Sequence, residues 1–313
     1  MAFLKLIRYK NLIIIALLQV LIRYGLILPI LQSFELQPVL SHFRFALVVL
    51  STVLLAASGY IINDYFDIRI DRINRPESVV VGRKIARRTT LFLHVVLTIT
   101  GMMIGLYLAY VTRKENYALF FIGIPVVLWY YSTTFKRHIL IGNLIIAMFT
   151  AIVALLVVSV EFAMLSRMHG PDILESEACS TAWFWTGGFA FFAFITNLIR
   201  EIIKDAEDVK GDKAVGCKTL PIAMGMKLTK LFVLLLEITS LTVLWLIYIF
   251  IPEISRIPYV TVYFIVGFTI PHLILIYIWM KANNKTHFHG VSTMGKLIML
   301  AGILFIVLAG QAF

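Results

Sequence analysis

Charge is scarce in this sequence, and so are the residue types that build disulfide frameworks and soluble metal sites. Only 14% of its 313 residues are Asp, Glu, Lys or Arg, while 60% are hydrophobic. A soluble domain of this length buries a core without so large an apolar share, and a mean hydropathy of +0.92 lies far outside the soluble range. With 2 cysteines there is no disulfide framework. The 7 histidines show no ligand spacing: His287 and His289 flank Phe288 with no further Cys or His nearby, and read as surface residues. Acids are outnumbered by bases, 17 to 28. In a soluble chain a net charge of +11 would suggest nucleic acid. In a membrane chain it reflects basic loops on the cytoplasmic side, so no nucleic-acid partner is expected.

What the chain has in abundance is long apolar runs. A membrane-crossing helix needs about 20 such residues, and nine stretches qualify: 11–31, 42–62, 90–112, 117–135, 139–160, 181–199, 228–250, 258–280 and 292–312. The fourth and fifth are separated only by Lys136, Arg137 and His138. The start, with Lys5, Arg8 and Lys10 ahead of an apolar run, has the outline of a signal peptide. Its run is too long and no small-residue cleavage site follows, so it reads as a retained first span. With the N-terminus inside, the loops on that side hold most of the Lys and Arg, which predicts a cytoplasmic N-terminus. Cys179 then falls outside and Cys217 inside, so they cannot pair. The segment 161–180, with Glu161, Asp172, Glu175 and Glu177, reads as an outer loop, and Asn284-Lys285-Thr286 matches a glycosylation pattern by chance on the inner side.

Against that apolar background, two acidic clusters stand out. The first closes the second span: Asn63-Asp64-Tyr65-Phe66-Asp67-Ile68-Arg69-Ile70-Asp71-Arg72. On a helix Asn63, Asp67 and Asp71 fall at i, i+4 and i+8, with Asp64 three before Asp67, so the group covers one face. The second closes the sixth span, where Asp205, Asp208 and Asp212 repeat the spacing of Asp64, Asp67 and Asp71. A solvated, mixed-charge helix end explains either cluster alone; it explains a matched pair four spans apart poorly. Carboxylates this close repel one another unless a cation is present. Hard oxygen donors without Cys or His suit Mg2+, which uses one or two carboxylates, waters and a substrate's phosphates. The interleaved arginines, Arg69, Arg72 and Arg75, can grip that phosphate. The spacing predicts two four-helix units around one central cavity, with a ninth helix outside.

The first cluster resembles the N-D-x-x-D-x-x-x-D motif of the UbiA superfamily of intramembrane prenyltransferases, continued by Asp71-Arg72-Ile73-Asn74-Arg75-Pro76, and the second resembles its D-x-x-D-x-x-x-D motif. Tyr131-Ser132-Thr133-Thr134-Phe135-Lys136-Arg137, followed by Gly142-Asn143, is similar to the family's Y-S-x-x-x-K-R block. The chain departs from the family's usual wording at Ser78-Val79-Val80-Val81-Gly82, where many members carry a second Arg-Pro and a Pro. The resemblance implies an all-α integral membrane protein of about nine helices, working as a single domain over 1–313. It also implies Mg2+-dependent transfer of an isoprenoid from a prenyl diphosphate to a membrane-associated acceptor. Asp67, Asp71, Asp208 and Asp212 are expected to be catalytic, and together with Asn63, Asp64 and Asp205 to hold the metal. Asn11, Arg69, Arg72, Tyr131, Ser132, Lys136, Arg137, Asn197, Arg200 and Lys204 are expected to bind substrate.

The run Arg200–Asp212 looks most like the branch that prenylates geranylgeranylglyceryl phosphate in ether-lipid synthesis, which implies a prokaryotic cell membrane. Members that prenylate an aromatic acceptor for quinones share the aspartates, so that acceptor stays open. A CDP-alcohol phosphotransferase is excluded, because no D-G-x-x-A-R run is present. A cation transporter is the reading of another class, but it would place its acids near the bilayer midplane on broken helices. Arg23, in mid-span, faces either the cavity or a partner on another helix. Some of the many aromatic rings line the cavity, where their faces can stabilise a cation.

Overall fold

The computed structural model describes residues 1–313. Nine of its helices are long and apolar enough to cross a membrane. They are α1 (Tyr9–Ser33), α2 (His42–Phe66), α3 (Arg87–Thr112), α4 (Glu115–Arg137), α5 (Ile141–His169), α6 (Glu177–Ala214), α7 (Gly225–Phe250), α8 (Val260–Lys281) and α9 (Lys285–Ala312). Each begins or ends within a few residues of the apolar run that predicted it, except where a polar extension is supported by packing. The sixth is the main case: α6 continues well beyond the apolar stretch to Ala214 and carries the whole second aspartate cluster on continuous helix.

Local chemistry accounts for the ends. Ser41 caps α2 by accepting from the Arg44 N–H, Ser176 caps α6 by accepting from the Cys179 N–H, and Asn284 caps α9 by accepting from the His287 N–H. Two prolines explain two departures from α-helical pitch. Pro29 and Pro271 each lack an N–H and crowd the carbonyl four residues earlier. The chain relieves this by widening to π-helix at Arg23–Ile27 and Phe264–Thr269. At the first of these, Gly310 lies against the Gly25 carbonyl, where any side chain would collide.

Small residues let helices approach, as expected where apolar burial alone does not drive association. Gly101 of α3 sits against Leu55 of α2, and Gly105 against Phe121 of α4. The largest apolar cluster joins Ile22, Leu55, Val157, Ala182, Phe268 and Ile306, contributed by α1, α2, α5, α6, α8 and α9. A second cluster, with Ile199, Ile202, Ile203, Leu275, Trp279 and Val291, packs beneath the second aspartate group. The two halves of the chain therefore share one interior.

Arg23 turns away from the cavity. Its guanidinium pairs with Glu161 at 3.0 Å, both side chains almost fully buried, and donates to the Leu40 carbonyl. Glu161 also accepts from the Val39 and Leu40 N–H groups, at 2.8 and 2.9 Å. The expectation of an outer loop from 161 is thus corrected. Apolar Phe162, Ala163, Met164 and Leu165 carry α5 on to His169, so Glu161 is a buried helix residue that clamps the α1–α2 connection.

Candidate active site

The first cluster is built at a joint. α2 ends at Phe66, Asp67 sits outside helical geometry with φ −87° and ψ 2°, and a short helix follows over Ile68–Asn74. The hydrogen-bond ladder nevertheless runs through it: Asp67 N–H donates to Asn63 O and Asp71 N–H to Asp67 O, at 2.9 and 2.8 Å. Asn63, Asp67 and Asp71 therefore keep a common face, as the spacing predicted, with a hinge in its middle. All seven expected metal-binding residues line one cavity of about 710 Å³. Its deeper wall is apolar, with Leu55, Phe120, Phe121, Ile124, Phe149 and Leu156. Those phenylalanines, with Tyr9, Tyr60 and Tyr131, are the lining aromatic residues that composition alone could not single out.

The two clusters are laced together through the segment after the first. Arg75 donates to both oxygens of Asp208, at 2.9 and 3.2 Å, and reaches Glu207 at 3.3 Å. Asn74 donates to the Asp208 carbonyl at 3.0 Å and accepts from the Gly211 N–H at 2.9 Å. Asn74 is packed so closely on Gly211 that no side chain fits there.

Four of the six motif carboxylates have a side-chain partner, and Asp71 and Asp212 have none. Arg8 pairs with Asp64 at 2.7 Å, with its guanidinium 5.0 Å from the Tyr60 ring centre. Lys136 pairs with Asp67, and the Asn63 amide also donates to Asp67 at 2.8 Å. Asn143 donates to Asp205 at 2.9 Å. Burial, together with the charges of Asp67 and Asp64, pushes Asp71 up to about 6 despite Arg8 and Arg75 nearby. No three acids converge tightly enough to cage an ion unaided. The donors are hard oxygens on two walls of one cavity, three of them paired with Arg8, Lys136 and Arg75. That set fits Mg2+ held by a few carboxylates and completed by a substrate's phosphates.

Of the expected substrate-binding residues, Asn11, Tyr131, Lys136, Asn197, Arg200 and Lys204 line the cavity. Asn197 holds α5 by donating to Thr150 at 2.8 Å, and Asn11 donates weakly to the Tyr60 hydroxyl at 3.4 Å. Four are placed elsewhere. Arg69 and Arg72 are exposed on the outer side of the short helix. A residue next to Asp71 in sequence is turned about 100° from it, whereas Arg75, four on, shares its face. Ser132 is buried and donates to its own helix at Leu128 O, 2.9 Å away, and Arg137 is exposed. Arg75, expected with Arg69 and Arg72 to grip phosphate, does line the cavity, and Asn143, which follows the tyrosine-serine block, reaches Asp205; Arg8, Glu201 and Lys296 went unexpected. Arg75 also carries a local signal, the i+4 step from Asp71. Cys217 also lines the cavity; burial and Asp212 push its thiol up to about 11, so it stays protonated and unreactive. The triple valine of the departing segment is buried, and Val79, Val80 and Val81 form part of the cavity wall. Gly82, at φ +78°, makes the turn that follows, closed by its N–H donating to Ile85 O at 2.8 Å.

The profile of the UbiA prenyltransferase family matches residues 26–309. Among curated relatives, digeranylgeranylglyceryl phosphate synthase of Methanothermobacter thermautotrophicus is 31% identical over 205 residues, which is 64% of this chain and 64% of that protein. The same-named protein of Methanosphaera stadtmanae is 29% identical over 253 residues, covering 80% and 82%. In the first of these the match spans slightly less than two thirds of the relative's length. A solved structure concerned with digeranylgeranylglyceryl phosphate synthase in membranes superposes with a TM-score of 0.60 at 25% identity, covering 99% of this chain and 98% of that one. A UbiA homologue from Archaeoglobus fulgidus bound to GPP and Mg2+ superposes at 0.56 with 16% identity, covering 98% and 99%, and so shares the fold.

Proposed function

The chain belongs to the UbiA prenyltransferase family, and on that premise we propose that it joins an isoprenoid from a prenyl diphosphate to the free hydroxyl of geranylgeranylglyceryl phosphate. The observation that carries this reading is the convergence of both aspartate sets on one cavity with a polar mouth and an apolar depth. The names of the relatives support the acceptor. In this reading the protein is integral to the membrane, acts as one domain, and keeps the aspartate end on the cytoplasmic side.

Asn63, Asp64, Asp67 and Asp71 on one wall, and Asp205, Asp208 and Asp212 on the other, would hold Mg2+ against the diphosphate. Bound there, the metal neutralises charge growing on the leaving group. Lys136, Arg75 and Arg8 exchange part of their carboxylate contact for diphosphate oxygens, which keeps those oxygens aligned for departure. The bond between the allylic carbon and the diphosphate oxygen breaks heterolytically, and the apolar wall excludes water from the allylic cation. The acceptor's hydroxyl oxygen forms the new bond to that carbon. Its proton passes to a cavity carboxylate. A transporter reading is disfavoured because these acids sit at helix ends among Arg and Lys.

Incubating the purified protein in lipid with Mg2+, labelled geranylgeranyl diphosphate and a panel of acceptors tests this directly. An ether product formed from the glyceryl phosphate is the expected result. A carbon–carbon product formed only from an aromatic acid would refute the acceptor, and metal flux without diphosphate release would refute the chemistry.

The geometry also separates two arginines of the first cluster, Arg72 on the exposed side and Arg75 on Asp208. Arg75→Lys is expected to raise the Michaelis constant for prenyl diphosphate by about tenfold or more, because an ammonium cannot reproduce the planar fork. Arg72→Lys is expected to leave both Michaelis constants at wild-type values. The reverse ranking would show that the short helix presents its other face to the donor.

A further inference from the structure

The cations of the cavity are not evenly balanced by its acids. At the motif end each is engaged: Arg8 by Asp64, Lys136 by Asp67 and Arg75 by Asp208. Just ahead of the second motif the pattern changes. Arg200 and Lys204, four residues apart on α6, share one carboxylate, that of Glu201, at 2.6 and 3.0 Å. Lys296 projects into the same cavity from α9 and has no ion-pair partner; Glu207 is taken up by Arg75 and His289 instead. Arg200 moreover keeps a buried Nε with no hydrogen-bond partner. The two helices are close at this level, because Gly295 precedes Lys296 and a methyl group there would already touch the Arg200 Cβ at 3.8 Å.

Three cations thus have one carboxylate in direct contact, Lys296 has none, and an orphaned guanidinium N–H lies beside them. A phosphate monoester carries about −1.5 to −2 near neutral pH, with three acceptor oxygens. The surface beyond Lys296 is of opposite character. Met299 and Leu300, one turn further along α9, line the cavity, and Leu300 continues into an apolar groove with Tyr263 and Leu304. A phosphate head at Lys296 with a hydrocarbon tail along this strip matches an amphiphile in both charge and polarity.

We propose that Arg200 and Lys296 form the seat of the acceptor's phosphate monoester, distinct from the diphosphate seat at the aspartates. The inference rests on the acceptor reading above and assigns that specificity to residues outside both motifs. An enzyme of this fold acting on an uncharged acceptor would have no use for an unpaired lysine at this position of α9.

The test uses the full chain in phosphatidylcholine nanodiscs with EDTA, so that the donor seat lacks a divalent cation. A glyceryl phosphate ether lipid and its dephosphorylated alcohol are titrated in parallel. Lys296→Gln is expected to weaken binding of the phosphorylated lipid by about tenfold or more and to leave the alcohol unchanged. With Mg2+ and donor present, the same variant should raise the Michaelis constant for the phosphorylated acceptor by a similar factor and leave that for prenyl diphosphate unaltered, while Lys296→Arg restores most of the loss. Lys296 is exposed, so folding is not at stake. Equal losses for phosphate and alcohol, an unchanged affinity for the phosphorylated lipid, or a matching rise in the donor's constant would each overturn the proposal. If the wild-type protein prenylates only an aromatic acceptor, the acceptor reading fails, and the EDTA titration still decides whether this seat recognises a phosphate.

Discussion

Asp67→Ala and Asp208→Ala are each expected to lower turnover by at least about 10²- to 10³-fold, the ~2.7–4 kcal/mol typical of losing one preorganised stabilising group. The two residues stand on different walls of the cavity, so either loss leaves the opposite set intact but unable to complete a metal–diphosphate seat. The structure offers reasons for the protein to survive both changes. Asp67 lies at a hinge where the backbone ladder is already made by Asn63 and Asp71. At Asp208 the link to Asn74 uses the backbone carbonyl, which alanine retains, and Arg75 keeps Glu207 at 3.3 Å. Assays at saturating Mg2+ and donor, with size-exclusion profiles and thermal unfolding as folding controls, check the outcome. Near-normal turnover in both variants would remove the aspartates from the reaction.

The contrast between Arg72 and Arg75 shows what was legible in the sequence and what was not. Period and spacing are local properties, so nine spans, two matched clusters and a shared face for Asn63, Asp67 and Asp71 could all be read in advance. Arg75 obeys the same rule, four residues after Asp71, whereas Arg69 and Arg72, expected to grip phosphate with it, fall on the exposed side of the short helix. Arg8, Asn143 and Lys296 obey no local rule at all. Each reaches the site from another part of the fold, 56 residues from its partner in the case of Arg8 and 62 in the case of Asn143. Side chains of that kind become visible only once the helices are packed. The extent of α6 was hidden for a different reason: residues 200–214 are too polar to score as a span, and they stay helical because one face packs on Leu275, Trp279 and Val291 while another lines the cavity.

The same reasoning applies to Glu161, where hydropathy placed a boundary and tertiary structure placed a buried ion. Glu161→Ala is expected to destabilise the protein by about 3–5 kcal/mol, because it strands a buried guanidinium. It also removes the acceptor of the Val39 and Leu40 N–H groups, so the α1–α2 connection loses its clamp. Glu161→Gln keeps an oxygen for those N–H groups but not the charge, and should fall between alanine and wild type. Removing both ions, as in Arg23→Met with Glu161→Gln, should recover part of the loss, since a paired desolvation penalty disappears along with the attraction. Thermal unfolding in a single detergent ranks the four proteins. Donor kinetics of the folded fraction should be unchanged, because Arg23 and Glu161 lie toward the end of α1 and α5 opposite the aspartates. A Glu161→Ala protein that unfolds with the wild type would mean that Arg23 is neutralised by something other than this carboxylate.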